Sequence, residues 1–110
     1  MKTDYDYNEE AQIFSVLASD TRIKLLHLLR TKALNCCDPE TCDLSDRCCN
    51  VGELAKELGV AMSTTSFHIK ELRQAGLIQT QRRGQQVYCT LNKALLEQLA
   101  QFFKSYVLGD

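Results

Sequence analysis

The residues of this chain that are best suited to chemistry are its cysteines. Five of the six fall within one stretch of fourteen residues, as two adjacent pairs and a singleton: Cys36, Cys37, Cys42, Cys48 and Cys49. Thiolates bind soft metal and metalloid ions, and neighbouring thiols can also be oxidised to a disulfide. The spacing therefore predicts a thiol-based sensor site that binds an ion or responds to redox state.

The expected compartment argues against permanent disulfides. No apolar run approaches the ~18 residues that cross a bilayer, and the first residues lack the positive flank and apolar core of a signal peptide. We therefore expect a cytoplasmic protein without a membrane partner. In that reducing compartment, clustered cysteines indicate metal ligands or redox-active thiols more than a disulfide framework.

The ligand chemistry favours a thiophilic ion. Arsenite or antimonite takes three thiolates, cadmium or lead three or four, and structural zinc four. With only His27 and His68 in the chain, a nitrogen-rich zinc or nickel site is not expected. Adjacent side chains on extended backbone point to opposite faces. We therefore expect one cysteine of each adjacent pair to be a primary ligand, with Cys42 as the third ligand. The alternatives are a thiol–disulfide switch and a constitutive zinc site. Cys89, far from the cluster, is predicted to be buried and inert.

The elements around the cluster predict one domain over residues 1–110. The composition, 45% hydrophobic and 25% charged, is that of a globular protein. Periodicity predicts a helix from about Asn8 to Ala18 and a second, capped by Asp20, to about Lys32. The cysteine-rich segment, about 33–50, lacks helical periodicity and is longer than a typical connection, which favours a sensing loop.

Two short helices after the loop predict a helix-turn-helix. Asn50 and Glu53 form a capping-box pattern that begins a helix from Val51 to about Leu58, which Gly59 ends. Ser63 is predicted to cap the next helix, to about Ala75. The short length of both helices and the tight turn between them match the motif.

The remainder of the chain predicts a wing and a last helix. Leu77–Arg83 and Gln86–Leu91 alternate in polarity around Gly84, which indicates a hairpin. Asn92 is expected to cap the last helix, whose apolar stripe is too wide for one small domain to bury. We therefore expect that helix to pack against a second subunit. The fold class is mainly α with a small β-hairpin, a winged helix-turn-helix.

Charge is unevenly distributed along the chain, although the formal net charge is only −1. Residues 61–90 carry four basic residues against one acidic residue, whereas residues 33–50 carry one basic against four acidic. The first segment suits phosphates and the second suits a cation. Short polar groups, one aromatic ring and the arginines of the wing suit phosphates and base edges. The candidate DNA contacts are Ser63, Thr64, Ser66, Phe67, His68, Lys70, Arg73, Arg82 and Arg83. For His68, helix packing and phosphate contact both stay open.

An enzyme is not expected. The sequence contains no discernible serine–histidine or paired-carboxylate arrangement, and no Cys-x-x-Cys that opens a helix.

Four segments carry a resemblance to a known family. They are Leu17-Ala-Ser-Asp-Thr-Arg-Ile-Lys-Leu-Leu, Val51-Gly-Glu-Leu-Ala-Lys-Glu-Leu-Gly-Val, Ser63-Thr-Thr-Ser-Phe-His-Ile-Lys-Glu-Leu-Arg-Gln-Ala-Gly-Leu-Ile and Arg82-Arg-Gly-Gln-Gln-Val-Tyr-Cys-Thr-Leu. Together they resemble the ArsR/SmtB family of dimeric winged-helix metal-sensing repressors, from Ile13 to Phe103. The resemblance implies a dimer through the first and last helices, binding to double-stranded operator DNA, and release when an effector binds.

The effector sites of that family do not transfer directly to this chain. Its cysteine-x-cysteine at the start of the third helix would fall on Asn50 and Gly52, and the last helix lacks the histidine and acidic pairs of its interfacial zinc site. We therefore expect the ligands to lie in the loop, with arsenite or antimonite favoured over cadmium, lead or zinc. The alternatives are a redox-sensing repressor and a winged-helix interaction module with a structural zinc.

Overall fold

The computed structural model describes residues 7–36 and 50–109, except for the side chains of residues 32–36, 83 and 86. The described residues form five helices and one two-stranded antiparallel sheet. In chain order these are α1 (Asn8–Leu17), α2 (Asp20–Cys36), α3 (Val51–Leu58), α4 (Met62–Gln74), β1 (Ile78–Arg83), β2 (Gln86–Leu91) and α5 (Lys93–Leu108). The predicted order of elements and the winged helix-turn-helix fold are confirmed.

The start and the end of α2 differ from the prediction. Asp20 is the first helical residue and not the cap; the residue before it, Ser19, accepts the Arg22 N–H on its Oγ at 3.4 Å. The helix also continues through Cys36, four residues beyond the predicted end at Lys32. Residues 33–36 are thus helical, although the sequence placed them in the loop. The apolar periodicity of α2 ends before the helix itself does, so periodicity alone places the end of the helix too early.

The predicted capping box at α3 is confirmed. The Glu53 N–H donates to Asn50 Oδ1 at 2.8 Å, and the Asn50 N–H donates to Glu53 Oε1 at 3.3 Å. Gly59 ends the helix in the left-handed conformation, with φ of 71°. The predicted cap of α4 is wrong, because Ser63 is already helical and Ala61 stands at the N-cap with no side-chain bond.

One apolar core joins the helix-turn-helix to the rest of the described chain. Its members come from every helix, from both strands and from the connection between α4 and β1: Ile13, Leu25, Leu29, Leu54, Ile69, Leu72, Leu77, Ile78, Cys89 and Leu99. Thr65 is fully buried beside them, and its hydroxyl donates to the carbonyl of Ala61 at 3.0 Å. This hydrogen bond satisfies the one polar side chain that α4 buries.

The wing is the hairpin of β1 and β2, in register from Ile78 opposite Leu91 to Arg83 opposite Gln86. Its base is held by Asn92, whose side chain accepts the N–H of Leu95 at the start of α5, as predicted, and donates to the carbonyl of Gly76 at 2.7 Å. Across the described residues, no helix is both long and apolar enough to span a bilayer.

Candidate nucleic-acid interface

The outer face of α4 carries most of the side chains that the sequence predicts to contact DNA. Thr65, Ile69 and Leu72 point into the core, as predicted. Six of the predicted contact residues on α4 are exposed: Ser63, Thr64, Ser66, Phe67, Lys70 and Arg73. Packing of one stripe therefore fixes which polar groups face outward.

A basic groove runs between α4 and the wing. Its volume is about 350 Å³, and Ser66, Lys70 and Arg73 of α4 face Thr80, Arg82 and Val87 of the hairpin across it. Three cationic side chains thus border one open groove. The groove brings Lys70 and Arg73 of α4 together with Arg82 of the wing. The side chain of Arg83 lies outside the described part of the structure. Such a concentration of cations suits a polyanion.

His68 lies at the contact between α2 and α4. It is half-buried, and its Nδ1 accepts a hydrogen bond from Nε of Arg22 at 2.9 Å. This position fits the helix-packing role, and a phosphate contact by His68 stays a prediction. Arg22 was absent from the sequence-based candidates, because its spacing on α2 gives no sign of a partner 46 positions away.

The predicted thiol site falls mostly outside the described residues. Cys36 is in the last turn of α2, with its side chain undescribed, and Cys37, Cys42, Cys48 and Cys49 lie in the undescribed segment. Within 7–36 and 50–109, no group of three or more His, Cys, Asp or Glu residues is placed to hold a metal ion. Because the side chains of all five cysteines lie outside the described residues, the thiol site of 36–49 stays a prediction.

Cys89 is buried, as predicted. Only 2% of its surface is exposed, and burial raises the pKa of its thiol to about 11. The thiolate is the reactive form of cysteine, so Cys89 is unreactive near neutral pH.

The helix-turn-helix is also recognisable by comparison with known proteins. A family model described as a helix-turn-helix domain matches residues 17–81, from the end of α1 to the first strand of the wing. The chain belongs to this family. It is a DNA-binding transcriptional regulator of the helix-turn-helix type. The prediction that it is not an enzyme is confirmed by its relatives, which are transcriptional regulators.

Two relatives of the regulator illustrate the range of the family. The HTH-type transcriptional regulator KmtR of Mycobacterium tuberculosis is 30% identical over 80% of this chain and 56% of its own length. The transcriptional activator HlyU of Vibrio cholerae is 36% identical over 56% of this chain and 61% of its own length. The regulator thus spans little more than half of each of these two proteins.

Solved structures give the same fold. A possible transcriptional regulator for arsenical resistance superposes with a TM-score of 0.65 at 26% identity, over 86% of this chain and 83% of that one. The homodimeric winged helix-turn-helix domain Mb0332 of Mycobacterium bovis superposes with a TM-score of 0.63 at 22% identity, over 96% and 91% of the two chains. At 22% identity, the similarity to Mb0332 shows a shared fold and nothing about function.

Proposed function

We propose that this regulator is a cytoplasmic homodimeric repressor that binds a palindromic operator and leaves it when a thiophilic metalloid or metal ion binds the loop cysteines. The observation that carries the DNA-binding part is the groove between α4 and the wing, bordered by Lys70, Arg73 and Arg82. Because DNA is the partner, the cytoplasm is the expected location.

In this proposal α4 enters the major groove. Its exposed Ser63, Thr64 and Ser66 are short hydrogen-bonding side chains that suit phosphates and base edges, and Phe67 suits a thymine methyl group. Arg82 follows the backbone or an adjacent minor groove, together with Arg83 as predicted from sequence.

The dimer is proposed to form through α1 and α5. Phe14 of α1 packs against Phe102 and Phe103 of α5, with ring centroids 6.0 and 5.5 Å apart. The outer side of this cluster stays open to solvent, since Phe103 is 53%, Tyr106 67% and Val107 83% exposed. An apolar surface of this kind on a small domain marks an interface. The Mb0332 domain, which shares the fold, is homodimeric. A two-fold dimer would present two α4 helices to successive half-sites, which accounts for a palindromic operator.

The cysteines are proposed to control DNA binding through the residue that follows them. Asn50 comes directly after Cys48 and Cys49, caps α3, and pairs by backbone with Tyr88 of β2. An ion bound by the cysteines of 36–49 would therefore act on the helix-turn-helix and on the wing at once. Three thiolates suit arsenite or antimonite best, followed by cadmium, lead or zinc. The likeness to a possible regulator for arsenical resistance supports the metalloid.

Two alternatives use the same residues. A reversible disulfide among these cysteines would act through the same segment and make the protein a redox-sensing repressor. A structural zinc would make the loop a fixed support of a winged-helix interaction module. Membership in a family of DNA-binding regulators favours the two sensing hypotheses over the third.

The test measures binding to a fluorescent operator duplex, obtained by selecting random-sequence DNA on the wild-type protein. Arsenite is expected to lower operator affinity, and serine substitutions at Cys36, Cys37, Cys42, Cys48 and Cys49, one at a time, should identify the ligands by loss of this response. Cys89→Ala is the matched control and should respond like wild type. If arsenite, antimonite, cadmium and lead leave affinity unchanged while peroxide lowers it reversibly, the redox hypothesis replaces ion sensing.

The DNA contacts are tested separately by salt dependence. Substituting Lys70 or Arg82 with glutamine should weaken binding to all sequences and reduce the slope of log affinity against log salt by about one per lost phosphate contact. Lys24→Gln, on the exposed surface of α2, is the control for loss of charge alone. An unchanged slope in both groove variants would contradict DNA binding through the groove.

A further inference from the structure

Arg22 connects three elements through one side chain. Its Nε donates to Nδ1 of His68 at 2.9 Å, and its Nη1 donates to the carbonyl of Val16 near the end of α1 at 3.1 Å. Its guanidinium carbon lies 5.7 Å from the centroid of the Phe67 ring. The first turn of α2 is thereby attached both to α1 and to two consecutive residues of α4.

These contacts constrain the two α4 side chains. A guanidinium donates from a rigid planar group, so its bonds to His68 and Val16 fix its own orientation. Because His68 Nδ1 accepts this bond, a neutral imidazole carries its proton on Nε2. The rings of Phe67 and His68 meet edge to face, with centroids 5.7 Å apart. Phe67 is therefore in contact on one side with Arg22 and His68.

Phe67 is otherwise accessible to solvent. The residue is 54% exposed and lies on the face of α4 that carries the candidate DNA contacts. Arg22 itself is half-buried and is not among the residues that border the basic groove. It is thus placed to orient a side chain that contacts DNA without contacting DNA itself.

We propose that Arg22 is a positioning residue for sequence recognition, which orients Phe67 through direct contact and through His68. This inference rests on the proposed function, in which α4 contacts base edges. An apolar ring held in one orientation discriminates thymine, whose methyl group lies in the major groove, from the other bases. The discrimination governed by Arg22 is therefore at an A·T pair of the operator.

The core explains why this role is separable from folding. Leu25 of α2 and Leu72 of α4 are fully buried, and these apolar contacts hold the two helices together. Loss of the Arg22 contacts should leave the α2–α4 packing in place while Phe67 gains rotational freedom.

The test compares Arg22→Gln and Arg22→Lys with the control Arg30→Gln, which removes the same charge from an exposed position on the same helix. Affinity is measured for the selected operator duplex and for a scrambled duplex of the same composition, over a range of salt. Both Arg22 variants are expected to lose about tenfold in operator affinity, the typical cost of one mismatched base pair. Binding to the scrambled duplex and the salt slope should not change. Lysine should not rescue, because it keeps the charge but lacks the planar donor group.

Substitutions of His68 and Phe67 test the proposed route. His68→Asn keeps an acceptor near the position of Nδ1 and should retain specificity, whereas His68→Leu should lose it as Arg22→Gln does. The double variant Arg22→Gln/His68→Leu should lose no more than Arg22→Gln alone, because removal of Arg22 already removes its bond to His68 and its contact with Phe67. Phe67→Leu should show reduced discrimination at the same A·T pair as Arg22→Gln.

Several results would overturn this role. If the salt slope falls by about one and both duplexes bind more weakly, Arg22 contacts a phosphate. If both affinities fall together with the melting temperature, Arg22 is only structural. Unchanged operator affinity in Arg22→Gln would also refute the inference, with the proposed function intact. If the wild-type protein selects no sequence at all, the proposed function fails and this inference with it.

Discussion

The backbone of Asn50 pairs with that of Tyr88 in an antiparallel bridge, although the two residues are far apart in sequence. Tyr88 belongs to the wing, and Asn50 also caps α3 with its side chain. The end of the cysteine-rich segment is therefore attached to both parts of the DNA-binding unit. This attachment gives the segment a direct mechanical connection to the wing that its position in the sequence does not reveal.

The side chain of Asn50 should contribute measurably to stability. Asn50→Ala removes the acceptor for the Glu53 N–H, and we expect it to lower the free energy of unfolding by about 1 kcal/mol. Urea denaturation at one fixed protein concentration measures the change. Asn50→Asp keeps an acceptor at the helix N-terminus and should stay close to wild type. Equal stability of the alanine and aspartate variants would contradict the capping role.

Gly76 and Gly52 should respond to alanine with opposite signs. Gly76 has φ of +84°, so a side chain there is strained, and Gly76→Ala should cost about 1 kcal/mol of unfolding free energy. Gly52 lies in the first turn of α3, where an added Cβ makes an ordinary contact of 3.4 Å with Asn50 Oδ1. Gly52→Ala should stabilise by about 0.5 kcal/mol. Thermal or urea unfolding of both variants checks this, and equal signs would refute it.

The buried thiol of Cys89 should make stability fall at alkaline pH. Its pKa is raised by burial to about 11 in the folded protein, against an ordinary value of 9.0. The folded state therefore binds more protons than the unfolded state between these values, so stability decreases as pH rises through that window, by on the order of 2–3 kcal/mol. Below pH 9 the thiol is protonated in both states, and the protein keeps this stability in full. Comparing wild type with Cys89→Ala isolates this effect from other titrating groups; the same alkaline slope in both would contradict it.

The exposed aromatic face of α5 should govern assembly. Phe103→Gln is expected to raise the dimer dissociation constant at least about tenfold, because burial of a large apolar side chain contributes roughly 1.5–3 kcal/mol. Sedimentation velocity over a range of concentrations measures it. Lys104→Gln, at the neighbouring exposed residue that lies outside the aromatic cluster, should have no effect. Equal dissociation constants for both variants would place the interface elsewhere.

Local sequence signals predicted the elements that depend on local physics. The Asn50–Glu53 capping box, the helix end at Gly59 and the cap at Asn92 are each decided by a few adjacent residues. The predicted caps at Asp20 and Ser63 are wrong for different reasons. At α2 the neighbouring Ser19 accepts the first-turn N–H, whereas α4 begins after Ala61 with no side-chain cap, so no local polar residue marks its start.

By itself, the sequence determined the order of helices and strands, the outward face of α4, the burial of Cys89 and the family to which the chain belongs. These follow from periodicity and from short motifs, which act over one or two turns. Only the tertiary structure decided that Arg22 contacts His68 and Phe67, that Asn50 pairs with Tyr88, and that Arg82 shares a groove with Lys70. Each of these contacts joins elements distant in the chain, and it depends on how the common core orients them, which no local pattern encodes.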